Sequence, residues 1–159
     1  MIRAAAQSDV PLLLQFIRGL ALYEKLEHEL DMDAGRLQSA LFGPRAFAFA
    51  FVAEEDGAPV GFALAFLTFS TFKTAACLHL EDLYVDESRR GRGHGLALLR
   101  AVAKLAVERD CARLQWNVLD WNEPAIGFYE SQGARVLQDW RICRIDGDAL
   151  SAMAAMAKG

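Results

Sequence analysis

The stretch RRGRGHG, residues 89–95, places a glycine at every second position directly before an apolar run. The apolar run has helical spacing, and the first turn of a helix carries N–H groups without acceptors and a partial positive charge. Glycines leave room for an anion to approach those donors. The pattern therefore indicates a phosphate cradle, and a flexible turn with solvated arginines is the alternative. It is neither a P-loop nor the dinucleotide motif G-x-G-x-x-G, because the glycines fall at 91, 93 and 95.

Carboxylates occur at two other places that could do chemistry. The stretch LHLEDLYV puts Glu81 and Asp82 side by side just ahead of the glycines. Neighbours in a strand point to opposite faces, so only one of them should face a shared centre unless a bulge intervenes. Upstream, Glu24 and Glu27 stand at i, i+3 on one face of a predicted helix. These groups could hold a cation or accept a proton; pairing with an arginine and a solvated helix end are the structural alternatives.

The elements that position these residues follow from periodicity and turn signals. Helices are predicted from Ser8 or Asp9 to about Lys25, over 31–43, from about 93 to 110, over 122–133 and over 148–158. Strands are predicted over 1–5, 76–85, 112–119 and 134–145, with a hairpin at 47–69 around the turn EDGAP. Strands and helices alternate in the later half. This order implies a mixed sheet with helices on both faces, hence an α/β (α+β) class.

Composition narrows the class of protein. The chain has 159 residues, 53% hydrophobic and 24% charged, which predicts one globular domain over 1–159. A net charge of −4 gives no general attraction to nucleic acid or an anionic membrane, and no apolar run is long enough to cross a bilayer. Because no apolar signal core follows the first residues, we expect a cytoplasmic protein. The three cysteines are far apart, so we expect buried hydrophobes rather than disulfides or a zinc site.

Two motifs together resemble those of the GNAT N-acetyltransferase superfamily. The residues from Arg90 to Gly95 match R-x-x-G-x-G, and Val85 lies five residues earlier at the end of a predicted strand. The stretch NEPAIGFYESQGA, 122–134, matches the superfamily's segment N-x-x-A/S-x-x-x-Y-x-x-x-G-F/A. The resemblance implies the GNAT fold, a mixed and mostly antiparallel central sheet with helices on both faces. It also implies acetyl-CoA as co-substrate and no metal.

The resemblance carries over a set of cofactor-binding positions. In the superfamily the pyrophosphate of coenzyme A lies on the backbone of the glycine stretch, and the preceding strand pairs with the pantetheine arm. The second motif closes on the other end of the cofactor. The matching positions are Leu83, Tyr84, Val85, Arg90, Gly91, Arg92, Gly93, His94, Gly95, Leu96, Asn122, Glu123, Pro124, Ala125 and Tyr129.

The chain is most similar to the diamine acetyltransferase branch of that superfamily, the spermidine/spermine N1-acetyltransferases and their thialysine acetyltransferase relatives. The similarity rests on LALYEKLE, LTFSTFK, LEDLYV, VLDWNEPAIGFYESQGA and WRICRI, which occur in the branch's order over nearly the whole chain. It implies direct transfer of an acetyl group to a primary amine of a small cationic substrate. It also implies a homodimer.

The same resemblance implies roles for individual residues. Glu81 is the base that takes the proton of the amine, through water, and Asp82 helps to hold the cationic substrate. Tyr129 is the acid that protonates the departing thiolate. The positions expected to contact the substrate are Tyr23, Glu24, Glu81, Asp82, Gln115, Trp116 and Asn117.

One loop bears on which amine is used. Polyamine-specific members carry an acidic residue and a tryptophan after the third strand, where this chain reads FSTFKT, with Ser70, Phe72 and Lys73. A lysine there would repel a long polycation, so a short amine or an amino acid with a side-chain amine fits better than spermine. Two other functions on the same fold stay open: a protein N-terminal or lysine acetyltransferase, and a non-catalytic acetyl-CoA sensor.

Overall fold

A computed structural model describes residues 1–157 of the chain. The helices are α1 (Val10–Glu24), α2 (Ala34–Phe42), α3 (His94–Glu108), α4 (Glu123–Ser131) and α5 (Gly147–Ala155). The strands are β1 (Ile2–Ala4), β2 (Ala48–Glu55), β3 (Ala58–Ser70), β4 (Ala75–Val85) and β5 (Leu114–Trp116). Each predicted helix has a counterpart, although the last was predicted to reach Lys158, which lies outside the described residues.

Contacts within the chain divide it into two compact units, Met1–Asn117 and the part from Val118 on. The first unit contains all five strands with α1, α2 and α3, and the second contains α4 and α5. One domain over 1–159 stays a prediction. No helix within residues 1–157 is long and apolar enough to span a membrane.

The first unit is built on one five-stranded sheet in the order β1-β2-β3-β4-β5. All neighbouring strands are antiparallel except β4 and β5, which are parallel. This confirms the predicted class, a mixed and mostly antiparallel sheet. The central strand β3 is buried at six consecutive positions, Val60 to Ala65, and successive side chains point to opposite faces. Both faces of the sheet are therefore covered at its centre.

The hydrophobic core joins α1 and α2 to one face of this sheet. Leu13 and Phe16 of α1 pack with Phe62 and Leu64 of β3, and the ring of Phe16 stacks on that of Phe62 at 5.9 Å. Helix α3 contacts β2, β3 and β4 and buries its own apolar stripe, which includes Leu98. Helical periodicity places these residues on one side of each helix, which is what binds the helices to the sheet.

A β-bulge interrupts the ladder between β3 and β4. Leu64 pairs with Asp82 and Ala65 pairs with Leu80, so Glu81 is the extra residue on β4. Such a bulge bends its strand and re-aims the side chains beside it. Strict alternation, which would send Glu81 and Asp82 to opposite faces, therefore does not hold here.

The predicted strand over 134–145 is wrong. No strand is present between Ser131 and Gly147, and the apolar side chains of the segment are exposed, with Trp140 at 74% and Ile142 at 70%. A strand needs a neighbour to take up its backbone N–H and C=O groups, and within residues 1–157 no ladder includes this segment. The expectation of three buried cysteines holds only for Cys77 on β4, because Cys111 after α3 is half-buried and Cys143 in this segment is exposed.

Candidate active site

The glycine stretch forms a tight passage from β4 into α3. Asp86 accepts hydrogen bonds from the Ser88 N–H at 2.9 Å and the Ser88 hydroxyl at 2.6 Å, which fixes the first turn after the strand. Gly91 and Gly93 then adopt φ values of 75° and 86°, a left-handed region that side chains disfavour. Gly93 is the N-cap of α3, which begins at His94 as the sequence predicted to within a residue.

The first turn of α3 presents its backbone donors beside open space. The amide of Ala97 donates to the carbonyl of Gly93 at 2.9 Å, so the amides of His94, Gly95 and Leu96 precede the first bond of the helix. A methyl group added at Gly95 would meet only Val85 Cγ2, at 3.9 Å. These donors and the positive end of the helix are suited to an anionic group such as a phosphate.

Arg90 links this loop to the end of α1. Its guanidinium lies 4.4 Å from the centre of the Tyr23 ring and 6.0 Å from that of Tyr84, within the range of cation–π attraction. Its Nε donates to the carbonyl of Val85 at 3.1 Å. The structure therefore brings together predicted cofactor-binding and substrate-binding residues.

Tyr84 is anchored in the core between β4 and α1. Its ring lies 5.8 Å from that of Phe16, and burial is the main cause that raises the pKa of its phenol. A methyl group added at Gly19 would come within 2.6 Å of the Tyr84 hydroxyl oxygen, so only glycine at this position leaves room for that hydroxyl. The side chain of Tyr84 is thus structural, and its predicted cofactor contact concerns the backbone.

The strand edge expected to pair with pantetheine begins where β4 and β5 part. Their ladder runs only from Leu78 to Leu80 on β4, opposite Leu114 to Trp116. Leu83, Tyr84 and Val85 pair with β3 on their other side. Gln115 and Trp116 lie in the ladder opposite His79 and Leu80, and Asn117 follows the end of β5.

Three carboxylates gather where α1 ends and β4 bulges. Burial is the main cause that raises the pKa of Asp82 to about 7, and the charges of Glu81 and then Glu24 add to it. Burial also raises the pKa of Glu24, which is half-buried at the last position of α1. Because like charges disfavour each other's ionisation, this cluster is suited to receive a cation.

Glu81 is the most exposed member of this group. Its side chain is 54% exposed, and its Oε2 lies 3.7 Å from Nε2 of His79, two residues earlier on β4. His79 is nearly buried, with its ring 5.1 Å from that of Phe66. The bulge leaves Glu81 open to solvent, where a water molecule can reach it. The sequence pattern does not single out His79 as its neighbour, since a spacing of two on a strand is too common to be a signal.

The second unit carries the other motif on α4. Asn122 is buried and accepts a hydrogen bond from the Ala125 N–H at 3.3 Å, so its side chain caps the helix. Gly133, with φ 87°, closes the other end: its N–H donates to the backbone carbonyl of Glu130, and the Ala134 N–H donates to the backbone carbonyl of Tyr129. Tyr129 lies in the last turn, its ring 5.2 Å from that of Phe128. Glu123 and Pro124 form the first turn of the helix.

Comparison with known proteins identifies the family to which this chain belongs. The model of the acetyltransferase (GNAT) family matches residues 17–134, which include the second half of α1, the whole of β4, the glycine loop and α4. The chain belongs to the GNAT acetyltransferase family. It is therefore an acyltransferase, as the sequence motifs predicted. GNAT acetyltransferases use acetyl-CoA as co-substrate.

Named relatives of this GNAT acetyltransferase act on small amines. A thialysine N-epsilon-acetyltransferase of Bos taurus is 35% identical over 165 residues, which cover 97% of this chain and 96% of that protein. An L-ornithine N5-acetyltransferase of Arabidopsis thaliana is 32% identical, with 96% of this chain and 86% of that protein covered. A solved integron cassette protein from V. cholerae has a TM-score of 0.77 at 26% identity, covering 97% of this chain and 96% of its own.

Among residues 1–157, no group of three or more His, Cys, Asp or Glu side chains is arranged to hold a metal ion. The expected absence of a metal remains a prediction. So do the individual roles of the site residues.

Proposed function

We propose that the chain transfers an acetyl group from acetyl-CoA directly to a primary amine of a small cationic substrate, such as a thialysine-like amino acid, a diamine or a polyamine. The observation that carries this proposal is the cluster of Glu24, at the end of α1, with Glu81 and Asp82, on the strand that leads into the glycine loop. A cation-binding group and an anion-binding loop on adjacent parts of one chain fit a cationic acceptor and a phosphate-bearing donor.

Acetyl-CoA supplies the acetyl group as a thioester. Its pyrophosphate would be held by the amides of Gly91 to Leu96, and its pantetheine arm by the backbone of Leu83 to Val85. Cys77, the cysteine on the same strand, has no exposed surface. This burial favours direct transfer over an acetyl-cysteine intermediate.

The amine must lose a proton before it attacks. A lysine-type amine has a pKa of about 10.4, so it arrives charged near neutral pH. In our proposal Asp82 and Glu24 hold this cation, and the more exposed Glu81 takes the proton through water. Holding the two substrates side by side supplies much of the acceleration.

Tyr129 is proposed as the acid that protonates the departing thiolate. A tyrosine phenol has a reference pKa of about 10, so this residue type can bring a proton at neutral pH. Transfer to a thiolate, whose reference value is about 8.5, runs uphill by roughly 1.5 units or about 2 kcal/mol, so neighbouring groups must assist it.

These roles are tested by conservative variants. We expect Glu81→Gln to lower kcat by a factor on the order of 100 or more and to flatten the pH–rate profile, because a general base is lost. We expect Tyr129→Phe to lower kcat while the Kd for acetyl-CoA stays unchanged. An unchanged pH–rate profile in the first variant, or full activity in the second, removes the corresponding assignment.

Two observations bear on which amine is used. The named relatives are described by their action on thialysine and ornithine, both amino acids with a short side-chain amine. Within a single chain, Lys73 is too far from the carboxylate cluster to repel a substrate bound there. The turn that carries Lys73 lies at the start of β4, about 23 Å along the strand from Asp82, well beyond a Debye length of about 8–10 Å.

The experiment is thiol release from acetyl-CoA at mildly alkaline pH across a panel of amines. The panel contains thialysine, ornithine, lysine, short diamines, spermidine, spermine and a few peptides, with Asp82→Asn as the variant lacking the central carboxylate. We expect turnover with a short amino acid or diamine, and a raised KM for that amine in the variant. Turnover of peptides alone points to the protein acetyltransferase. Acetyl-CoA binding without turnover of any amine points to the sensor.

Two properties implied by the resemblance complete the proposal: a homodimer and a cytoplasmic location. The homodimer is tested by the mass in solution, which should be twice the 17.5 kDa of one chain. A mass of one chain at assay concentration contradicts it.

A further inference from the structure

One carboxylate outside the predicted site contacts three side chains of the glycine loop. Oε2 of Glu55 lies 2.6 Å from Nη1 of Arg89 and 3.1 Å from Nη1 of Arg92. Its Oε1 lies 3.3 Å from Nε2 of His94. The Arg89 hydrogen bond is the main cause that lowers the pKa of Glu55, so the carboxylate is charged at neutral pH. No pattern in the sequence pointed to Glu55.

The fold holds Glu55 at a fixed place. It is the last residue of β2, and the two-residue turn that follows has left-handed φ values at Asp56 and Gly57, 53° and 77°. Turns with these values match the twist of a hairpin, so the position is well determined. The side chain of Glu55 is only 20% exposed, whereas those of Arg89 and Arg92 are 41% and 51% exposed.

The three partners come from separate points along the loop. Arg89 ends the short turn after β4, Arg92 stands between the two left-handed glycines, and His94 is the first residue of α3. A single carboxylate therefore contacts the start, the middle and the end of the loop. These contacts restrict a segment whose glycines allow many backbone conformations.

We propose that Glu55 is a positioning residue of the glycine loop: by holding Arg89, Arg92 and His94 against the β2–β3 hairpin, it keeps the loop in the shape that receives the pyrophosphate of acetyl-CoA. The choice of acetyl-CoA as the ligand rests on the proposed function. The contacts of Glu55 with Arg89, Arg92 and His94, called the tether below, do not rest on it, because they are present in the free chain.

The proposal predicts that removing the charge of Glu55 weakens acetyl-CoA binding, whereas simple electrostatics predicts the opposite. Glu55 is an anion near an anion-binding loop, so removal of its charge alone should tighten acetyl-CoA binding. Without the tether the glycine loop is more mobile, so acetyl-CoA must order the loop when it binds. The cost of that ordering weakens binding. We expect the second effect to exceed the first.

The first measurement is hydrogen exchange of the amides of residues 91–96 in the free protein. The test variant is Glu55→Gln, and the matched control is Asp56→Asn, which removes the same charge one residue away. Asn tolerates the left-handed conformation of that position. We expect faster exchange in the loop for Glu55→Gln only. Unchanged exchange in that variant overturns the tether.

A double-mutant cycle adds Arg89→Gln, alone and together with Glu55→Gln. If Glu55 acts through Arg89, the two changes are non-additive in loop exchange, and the double variant resembles the stronger single variant. Full additivity would show that Glu55 does not act through Arg89. Thermal unfolding of each variant verifies that the fold persists.

The second measurement is the Kd for acetyl-CoA by calorimetry. We expect Glu55→Gln to raise it about fivefold, the size that partly exposed ion pairs give, with kcat at saturating acetyl-CoA unchanged. We expect Asp56→Asn to leave it unchanged or slightly lower. An unchanged or lower Kd in Glu55→Gln overturns the positioning role. Failure of the unaltered protein to bind acetyl-CoA contradicts the proposed function instead, and the exchange measurement still decides whether Glu55 holds the loop.

Discussion

At the scale of single residues, Asp82 shows a conflict between stability and function. Its carboxyl lies at a bulge, where burial and the neighbouring charges of Glu81 and Glu24 raise its pKa to about 7 from an ordinary value of 3.8. Above pH 7 the folded protein must therefore hold a charge that it disfavours. A bound cationic amine would relieve this cost, which is the reason for placing the substrate here.

Asp82→Asn should stabilise the free protein in a pH-dependent way. Between pH 4 and 7 the folded state retains a proton that the unfolded state loses, so stability falls as the pH rises through this window. The variant has no carboxyl at this position, so its stability does not fall in this way. Its gain in unfolding free energy should be near zero at pH 4 and on the order of 4 kcal/mol at pH 8.

Denaturant unfolding at several pH values measures this gain. Asp120→Asn, at an exposed position, is the control and should give the same small difference at every pH. A gain in Asp82→Asn that does not grow with pH would show that Asp82 is not a disfavoured charge. Amine turnover by the same variant should fall, since the cation loses its partner.

At the scale of elements, the junction of β4 and α3 determines what the loop can bind. Two of its glycines are required by their left-handed backbone, but Gly95 is not: it lies inside the first turn of α3, and an added methyl would meet Val85 only at ordinary contact distance. The backbone therefore gives no reason for glycine at 95. Close approach of a ligand to the helix amides does give one.

Gly95→Ala should separate stability from binding. Alanine favours the helix, so we expect unfolding free energy to rise by about 0.5 kcal/mol, while the Kd for acetyl-CoA rises several-fold because the methyl occupies the approach to the amides. Gly93→Ala is the contrasting variant and should lose about 1–2 kcal/mol from its left-handed φ. Calorimetric binding and denaturant unfolding measure both. Unchanged acetyl-CoA binding in Gly95→Ala would place the pyrophosphate elsewhere.

At the scale of the whole molecule, the family match at 17–134 includes parts of both compact units. A single domain over 1–159 predicts that the two units unfold together. Trp116 belongs to the first unit, and Trp121 and Trp140 belong to the second. The chain thus carries its own fluorescent probe in each unit.

Single-tryptophan variants test this prediction. One retains Trp116 alone and the other retains Trp140 alone, with phenylalanine at the remaining positions. We expect coincident urea transitions, monitored by fluorescence, with the same midpoint and slope in each variant as far-ultraviolet circular dichroism gives. Two separate transitions within one variant would show that residues 1–159 form more than one cooperative domain.

The sequence by itself determined the family, the sheet strands from β1 to β5 and the helices, because these depend on local signals: apolar periodicity, turn residues and glycine spacing. It placed the glycine loop at 90–96 for that reason, and it predicted over 122–133 the helix that the structure has at Glu123–Ser131. Only the tertiary structure decided the bulge at Glu81, the cluster with Glu24, and the tether at Glu55, since each depends on strand register or on residues distant in sequence. The tertiary structure also shows no strand over 134–145, because an alternating apolar segment forms a strand only when a neighbouring strand accepts its hydrogen bonds.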